Sequence, residues 1–287
     1  MQFNDYFWYM ILRKCIFGFL LVIHSGWACS QPSSFSNQVY HPDGNTIAER
    51  FIPPFGFHRL PVESSTFAHY LRNFRLKNSS AQVLLYNGQP KYNQQVHAAV
   101  LDISTGKKDL QQCADAVMRL RAEYLFAQNR FDDIHFNFTN GFTAYYSKWR
   151  KGYSIRVNGN QCQWIQSDKA NASYESFMSY LEKVFMYAGT ASLEKELTSV
   201  SMTDIQPGDV FIKGGSPGHA VIVMDVCLHP QTGERLFLLA QSYMPAQDIH
   251  ILINPQDGKI SPWYSNQIVS SLITPEWTFE KKHLRRF

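Results

Sequence analysis

Charge is scarce in this sequence. Asp, Glu, Lys and Arg together make up 17% of the 287 residues, against 45% hydrophobic residues. A disordered chain needs the opposite balance, so this one is expected to bury a sizeable core. The net charge is only +4, and no long Lys/Arg block occurs. A nucleic-acid partner is therefore not indicated. Cysteine is also sparse: there are five, with no CxxC or CxxxH spacing, so no structural zinc site is expected. No phosphate loop, dinucleotide fingerprint or metalloprotease motif is present, and no cofactor is expected. Internal repeats are absent. Aromatics are plentiful at 15%. They suit a core first, and a wall that packs on sugars or peptides second.

The first 30 residues read as a targeting segment. Arg13 and Lys14 form a charged region, residues 15–23 (CIFGFLLVI) a short apolar run, and Gly26-Trp27-Ala28 a small-x-small cleavage site. The run is too short to span a membrane and has the flanks of a signal peptide over residues 1–29. Cys29 follows the cleavage site directly, where a lipid anchor would be attached. Soluble periplasmic export is the alternative. With Cys15 removed and Cys29 lipidated, Cys113, Cys162 and Cys227 remain, and an odd number implies a free thiol. Residues 30–46, rich in Pro, Ser, Asn and Gly, read as a tether, and a single domain is expected over 47–287.

Within that domain, Ser64 and Ser65 are expected to cap a short helix through Tyr70 and Leu71. Residues 83–86 and 96–103 read as strands. The clearest helix is expected over 110–128, with Leu110, Cys113, Val117, Leu120 and Tyr124 on one apolar stripe and Asp109 as N-cap. Asp115, Arg119 and Glu123 are expected on a solvated or ion-paired face. Further helices are expected over 173–187 and 193–200. The last third is strand-like: 210–212, 220–224, 236–240 and 249–253. Helices first and a meander of strands later indicate α+β rather than alternating βαβ.

Two residues in this plan are suited to chemistry. Cys113 lies in the first turn of a helix, where free N–H groups and the helix dipole favour a thiolate; the plainer reading is a thiol buried on the apolar stripe. His219 stands between a glycine-rich loop (Gly214, Gly215, Gly218) and an apolar strand, a place where the backbone allows close approach of a ligand. A turn centred near residue 231 brings Gln241 back beside His219, with Ser242 and Tyr243 close to the same register. A Gln carbonyl there would orient the imidazole, completing a nucleophile–base–orienter set. His250, one strand further on, is a second candidate for that role.

A Cys at a helix start, Pro207-Gly208-Asp209 before a strand, Gly218-His219 leading into a strand, and a polar residue on the next strand resemble the NlpC-type branch of papain-like cysteine peptidases and amidases. The resemblance covers about 110–252. It departs from the usual pattern in having Gln112-Cys113-Ala114 for Asp-Cys-Ser, and in a long Cys-to-His separation that implies an insertion near 131–189. It implies an α+β papain-like fold, with the Cys-bearing helix packed on an antiparallel sheet that carries the His. The blocks LQQCADAVMRLRAEYLF, YAGTASLEKEL, PGDVFIKGGSPGHAVIVMDV and AQSYMPAQDIHIL also resemble a family of uncharacterised bacterial exported proteins known only as a domain of unknown function.

The expected function is an exported cysteine-nucleophile hydrolase acting on an amide bond, with a cell-wall peptide as substrate. Cys113 is the nucleophile, His219 the base and then the acid, and Gln241 the orienter. Gln112, Gly215, Gly218, Ser242 and His250 are the candidate binding residues. Two alternatives stay open: a non-catalytic lipoprotein that holds peptide or glycan in the same cleft, and a Cys/His acyltransferase.

Overall fold

Long apolar segments with no strict alternation dominate the end of the chain, and they build a sheet buried on both sides. The computed structural model describes residues 39–167, 169–268 and 270–287, all within one compact unit. The expected signal segment, the Cys29 anchor and the first part of the tether lie outside the described residues. Among those described, no helix is long and apolar enough to cross a membrane.

The elements that position the site are four helices and eight strands. The helices are α1 (Phe67–Arg72), α2 (Cys113–Ala127), α3 (Tyr174–Tyr187) and α4 (Thr190–Glu196). The strands are β1 (His97–Val100), β2 (Tyr153–Asn158), β3 (Gln161–Gln166), β4 (Val210–Lys213), β5 (His219–Leu228), β6 (Arg235–Gln241), β7 (His250–Leu252) and β8 (Leu284–Arg286). The main sheet runs β1-β7-β6-β5-β4-β8 and then Thr198–Ser199, with antiparallel neighbours throughout. The class is thus mixed α and β with a large antiparallel sheet.

Strand alternation explains the two cores. In β5, Ala220, Ile222 and Met224 join the cluster that contains α2, while Val221, Val223 and Val226 join a second cluster with Phe237, Leu239, Tyr264 and Phe279. Each Val, Ile, Leu, Met or Phe side chain so buried contributes roughly 1.5–3 kcal/mol. A buried carboxylate interrupts the strand: Asp225 accepts from Arg59 Nε and Arg72 Nε, both at 2.7 Å. The β5–β6 register slips by one residue opposite it, between Leu238 and Leu239.

Several sequence expectations shift. The long helix begins at Cys113 with Gln112 as its cap, not at Leu110 with Asp109. Asp109 Oδ1 instead accepts from the Ala246 amide at 2.7 Å, which ties residues 109–112 to the loop after β6. Thr66, not Ser64 or Ser65, caps α1, accepting from the His69 amide at 3.2 Å. Residues 83–86 form only isolated bridges. Residues 39–46, expected as the end of a tether, pack onto the domain: Val39 is buried, and Arg50 donates from Nε to the Gly44 carbonyl at 2.8 Å. The segment 131–189 carries a hairpin, β2–β3, that its polar alternation did not announce. Its Phe136, Tyr146, Ile155, Phe177 and Tyr180 belong to the same core as α2.

Candidate functional site

The start of α2, the start of β5 and the loop after β6 meet at one cavity of about 430 Å³. Gln112, Cys113, Ala114 and Asp115 line it from the helix. Thr190 and the loop Gly215–Gly218 line a second wall, and His219, Tyr243, Met244 and Trp277 a third. The exposed residues Gly215, Ser216, Pro217 and Met244 place its mouth at the surface.

Gly218 is there because nothing larger fits. A Cβ on it would lie 2.5 Å from the Gly215 carbonyl oxygen and 2.5 Å from Thr190 Oγ1. Gly215 turns the loop with φ +117°, a conformation L side chains rarely adopt. Together they fold the loop back on itself just before His219.

His219 is almost fully buried and hydrogen-bonded. Its Nε2 lies 2.8 Å from Gln241 Oε1. The Gln241 amide nitrogen donates to Glu276 Oε2 at 2.7 Å, and Glu276 Oε1 pairs with Lys91 Nζ at 2.7 Å. This chain orients the Gln241 amide, because the nitrogen must face a carboxylate. The carbonyl then faces the imidazole, so Nε2 carries the proton and Nδ1 the lone pair. Tyr243, Trp277 and Phe279 surround the ring at centroid distances of 4.8, 5.3 and 6.0 Å. Burial lowers the His219 pKa to about 4, against the raising effect of the Gln241 bond, so the ring is neutral at pH 7.

Cys113 sits at the first position of α2, as its sequence context indicated, but the expected thiolate is not favoured. Burial, with a smaller contribution from Asp115, pushes the thiol up to about 11, although the amides of Ala220, Ala114 and Cys113 act against the rise. Desolvation outweighs the helix terminus here. The cavity at rest therefore holds a neutral thiol and a neutral imidazole.

The other expected site residues divide. Gln112, Gly215 and Gly218 line the cavity. The Gln112 side chain donates to Asp109 Oδ1 at 3.2 Å, within its own turn. Ser242 and His250 are fully buried and do not line the cavity. Ser242 Oγ bonds the carbonyls of Gln111 at 2.9 Å and Gln247 at 2.8 Å, fixing the loop to the residues before α2. His250 Nδ1 lies 2.9 Å from the Asp248 carbonyl, and Nε2 lies 3.5 Å from the Gln241 amide nitrogen. Both sit behind the site.

Sequence reasoning missed Glu276, Lys91 and the role of Trp277, which reach the site from distant segments with no local signal. Of the expected solvated or ion-paired face of Asp115, Arg119 and Glu123, the Arg119–Glu123 ion pair is present, but Asp115 and Arg119 are buried. Asp115 Oδ2 accepts from the Gln112 amide at 3.0 Å, and Arg119 Nε pairs with Glu123 at 2.7 Å. The spacing of Gln112 and Asp115, cap and third helical residue, was the available signal for Asp115. Cys162 and Cys227, like Cys113, are free thiols. Among the described residues, no cluster of three His, Cys, Asp or Glu is arranged to hold a metal ion.

Comparison with known proteins gives one match. Residues 47–286 match the model of the family described as Domain of unknown function (4846). No curated protein and no solved structure matches.

Proposed function

The chain belongs to the family Domain of unknown function (4846), and since that description carries no activity, we propose from the site itself that it is a cysteine-nucleophile hydrolase of amide bonds. One observation carries the reading: His219 is held in a single tautomer by Gln241 and Glu276 in the cavity that Cys113 lines. A merely packed histidine needs no orienting amide that is itself oriented by a partly buried ion pair.

Cys113 Sγ attacks the carbonyl carbon of the substrate, and its proton passes to His219 Nδ1. Collapse of the tetrahedral intermediate breaks the C–N bond, and the leaving amine takes that proton. Water then attacks the thioester with His219 as base again; the C–S bond breaks, the acid leaves, and His219 returns the proton to Cys113 Sγ. Because both groups are neutral at rest, proton transfer accompanies attack rather than preceding it. A Cys-bearing helix start beside an antiparallel sheet carrying the His is the arrangement of papain-like enzymes, and it supports the reading. The apolar and aromatic lining suits a peptide, and export would place the enzyme beside cell-wall peptides. A non-catalytic binding protein is the second reading, favoured by the same neutral pair.

The test is acyl trapping. Incubation with p-nitrophenyl acetate is expected to place one acetyl group on Cys113, seen by intact and peptide mass, and to release it with time. Cys113→Ala abolishes the adduct, and His219→Ala slows its formation by about 10²–10⁴-fold. A wild-type protein that never acylates at Cys113 leaves the binding reading.

A further inference from the structure

Two titratable groups of the cavity, Asp115 and Tyr243, have no part in the chemistry above, and of these Asp115 is the buried one. Asp115 is 6% exposed and lines the same wall as Cys113, two residues further along α2. Its Oδ2 is occupied by the Gln112 amide, while its Oδ1 is buried with no hydrogen-bond partner. A buried carboxyl oxygen left unpaired costs about 1–3 kcal/mol unless a ligand completes it. No Lys or Arg is among the residues lining the cavity. Arg119, one turn along α2, is committed to Glu123, Gln111 and Tyr174. The other titratable groups that face the cavity are Cys113 on the same helix, His219 on β5 and Tyr243 after β6. None is a cation at neutral pH, so only the amides of Gln112 and Asp115 favour a charge on Asp115, and burial outweighs them.

Trp277, which also lines the cavity, has a buried donor, Nε1, with no hydrogen-bond partner. A protonated carboxyl and an indole N–H both seek acceptors. The ligand that completes them presents carbonyl oxygens. A carboxylate finds no lining cation, and an amine offers donors to donors.

We propose that Asp115, holding its proton, donates from Oδ1 to the carbonyl oxygen of the acyl group that Cys113 attacks, so that the cavity selects neutral carbonyl groups. This rests on the amide-hydrolase reading. When the sulfur–carbon bond forms, the C=O electron pair moves onto oxygen, and the hydrogen bond donated by Asp115 strengthens as that charge grows. Collapse restores the carbonyl, and the proton remains on Asp115 throughout. Burial pushes the Asp115 carboxyl up to about 8, consistent with a retained proton at neutral pH.

Two reactions of Cys113 separate this role from a structural one. Acetylation by p-nitrophenyl acetate develops charge on a carbonyl oxygen, whereas alkylation by iodoacetamide does not. In the full chain, Asp115→Ala is expected to slow acetylation by about 10²–10³-fold, with alkylation unchanged or faster. Asp115→Asn keeps a donor at that place and accepts the Gln112 amide, so it recovers at least tenfold of the loss. Wild-type acetylation falls away above about pH 8 as Asp115 ionises, and Asp115→Asn lacks that decline. Equal acetylation by wild type and Asp115→Ala overturns the inference while leaving the hydrolase reading intact. An Asp115→Asn protein that alkylates normally yet acetylates no better than Asp115→Ala does the same. Absence of Cys113 acetylation in the wild type overturns both.

Discussion

Asp115 and His219 face one cavity, yet burial moves them in opposite directions of stability with pH. The Asp115 carboxyl is held up to about 8, far above the ordinary carboxylate value near 3.9. Between those values the unfolded chain has released the proton and the native one has not. Stability from this group is therefore present at low pH and is lost as pH rises towards 8, at up to about 1.4 kcal/mol per unit. His219 does the reverse. Its folded value of about 4 lies below the ordinary one near 6.5, so its contribution is lost as pH falls through that window. Asp115→Asn removes the first effect alone. Chemical denaturation at a series of pH values is expected to show a variant whose advantage over wild type grows from about pH 4 to about pH 8 and then levels. A constant difference over that range would mean that Asp115 ionises normally in the folded protein.

At the scale of elements, the site depends on how the loop 214–218 enters β5. Gly218 admits no side chain, because three backbone or side-chain oxygens surround the place a Cβ would take, the nearest at 2.5 Å. Gly218→Ala must displace either that loop or Thr190 on α4. The expected cost is about 1–3 kcal/mol. The displacement falls on His219, the next residue, and so on its bond to Gln241. Loss of the Nε2–H signal in ¹⁵N spectra of the variant, with the rest of the sheet unchanged, checks this. Gly258→Ala is the control: its φ lies outside the left-handed region, like that of Gly218, and a Cβ there meets nothing within 4 Å. The hydrogen-bonded chain Lys91–Glu276–Gln241–His219 joins four segments, so the geometry of the imidazole is a property of the whole sheet end and not of β5 alone.

For the whole molecule, the three described thiols report on different depths of unfolding. Cys227 is fully buried near the end of β5, paired with Arg59 on one side and with Leu236 of β6 on the other. Cys162 lies partly buried on the β2–β3 hairpin, accepting from Asn140 Nδ2 at 3.1 Å. Local opening suffices to expose the hairpin, whereas the central strand requires the sheet to come apart. Labelling with a thiol reagent in increasing denaturant is expected to modify Cys162 first and Cys227 only across the global transition. Simultaneous labelling of the two would show that the hairpin has no independent mobility.

How much of this was legible beforehand follows from the range over which each signal acts. The sequence determined the α+β class, the helix of α2 and the strands β4 to β7, because periodicity, glycine and turn residues act within a few positions. It also brought Gln241 to His219, since a hairpin with a short turn fixes its own register: Gln241 falls diagonally across from His219, on the same face. It placed Cys113 at a helix start for the same local reason. The tertiary structure alone decided the protonation of the site. Whether a helix terminus or desolvation governs the Cys113 thiol depends on how deeply α2 packs against β5, and burial won. It alone made Asp115 a buried, half-paired carboxyl, because a capping position reads the same whether the turn meets water or a sheet. And it alone supplied Glu276, Lys91 and Trp277, whose approach depends on strand order and loop packing, for which separated stretches of sequence carry no local mark.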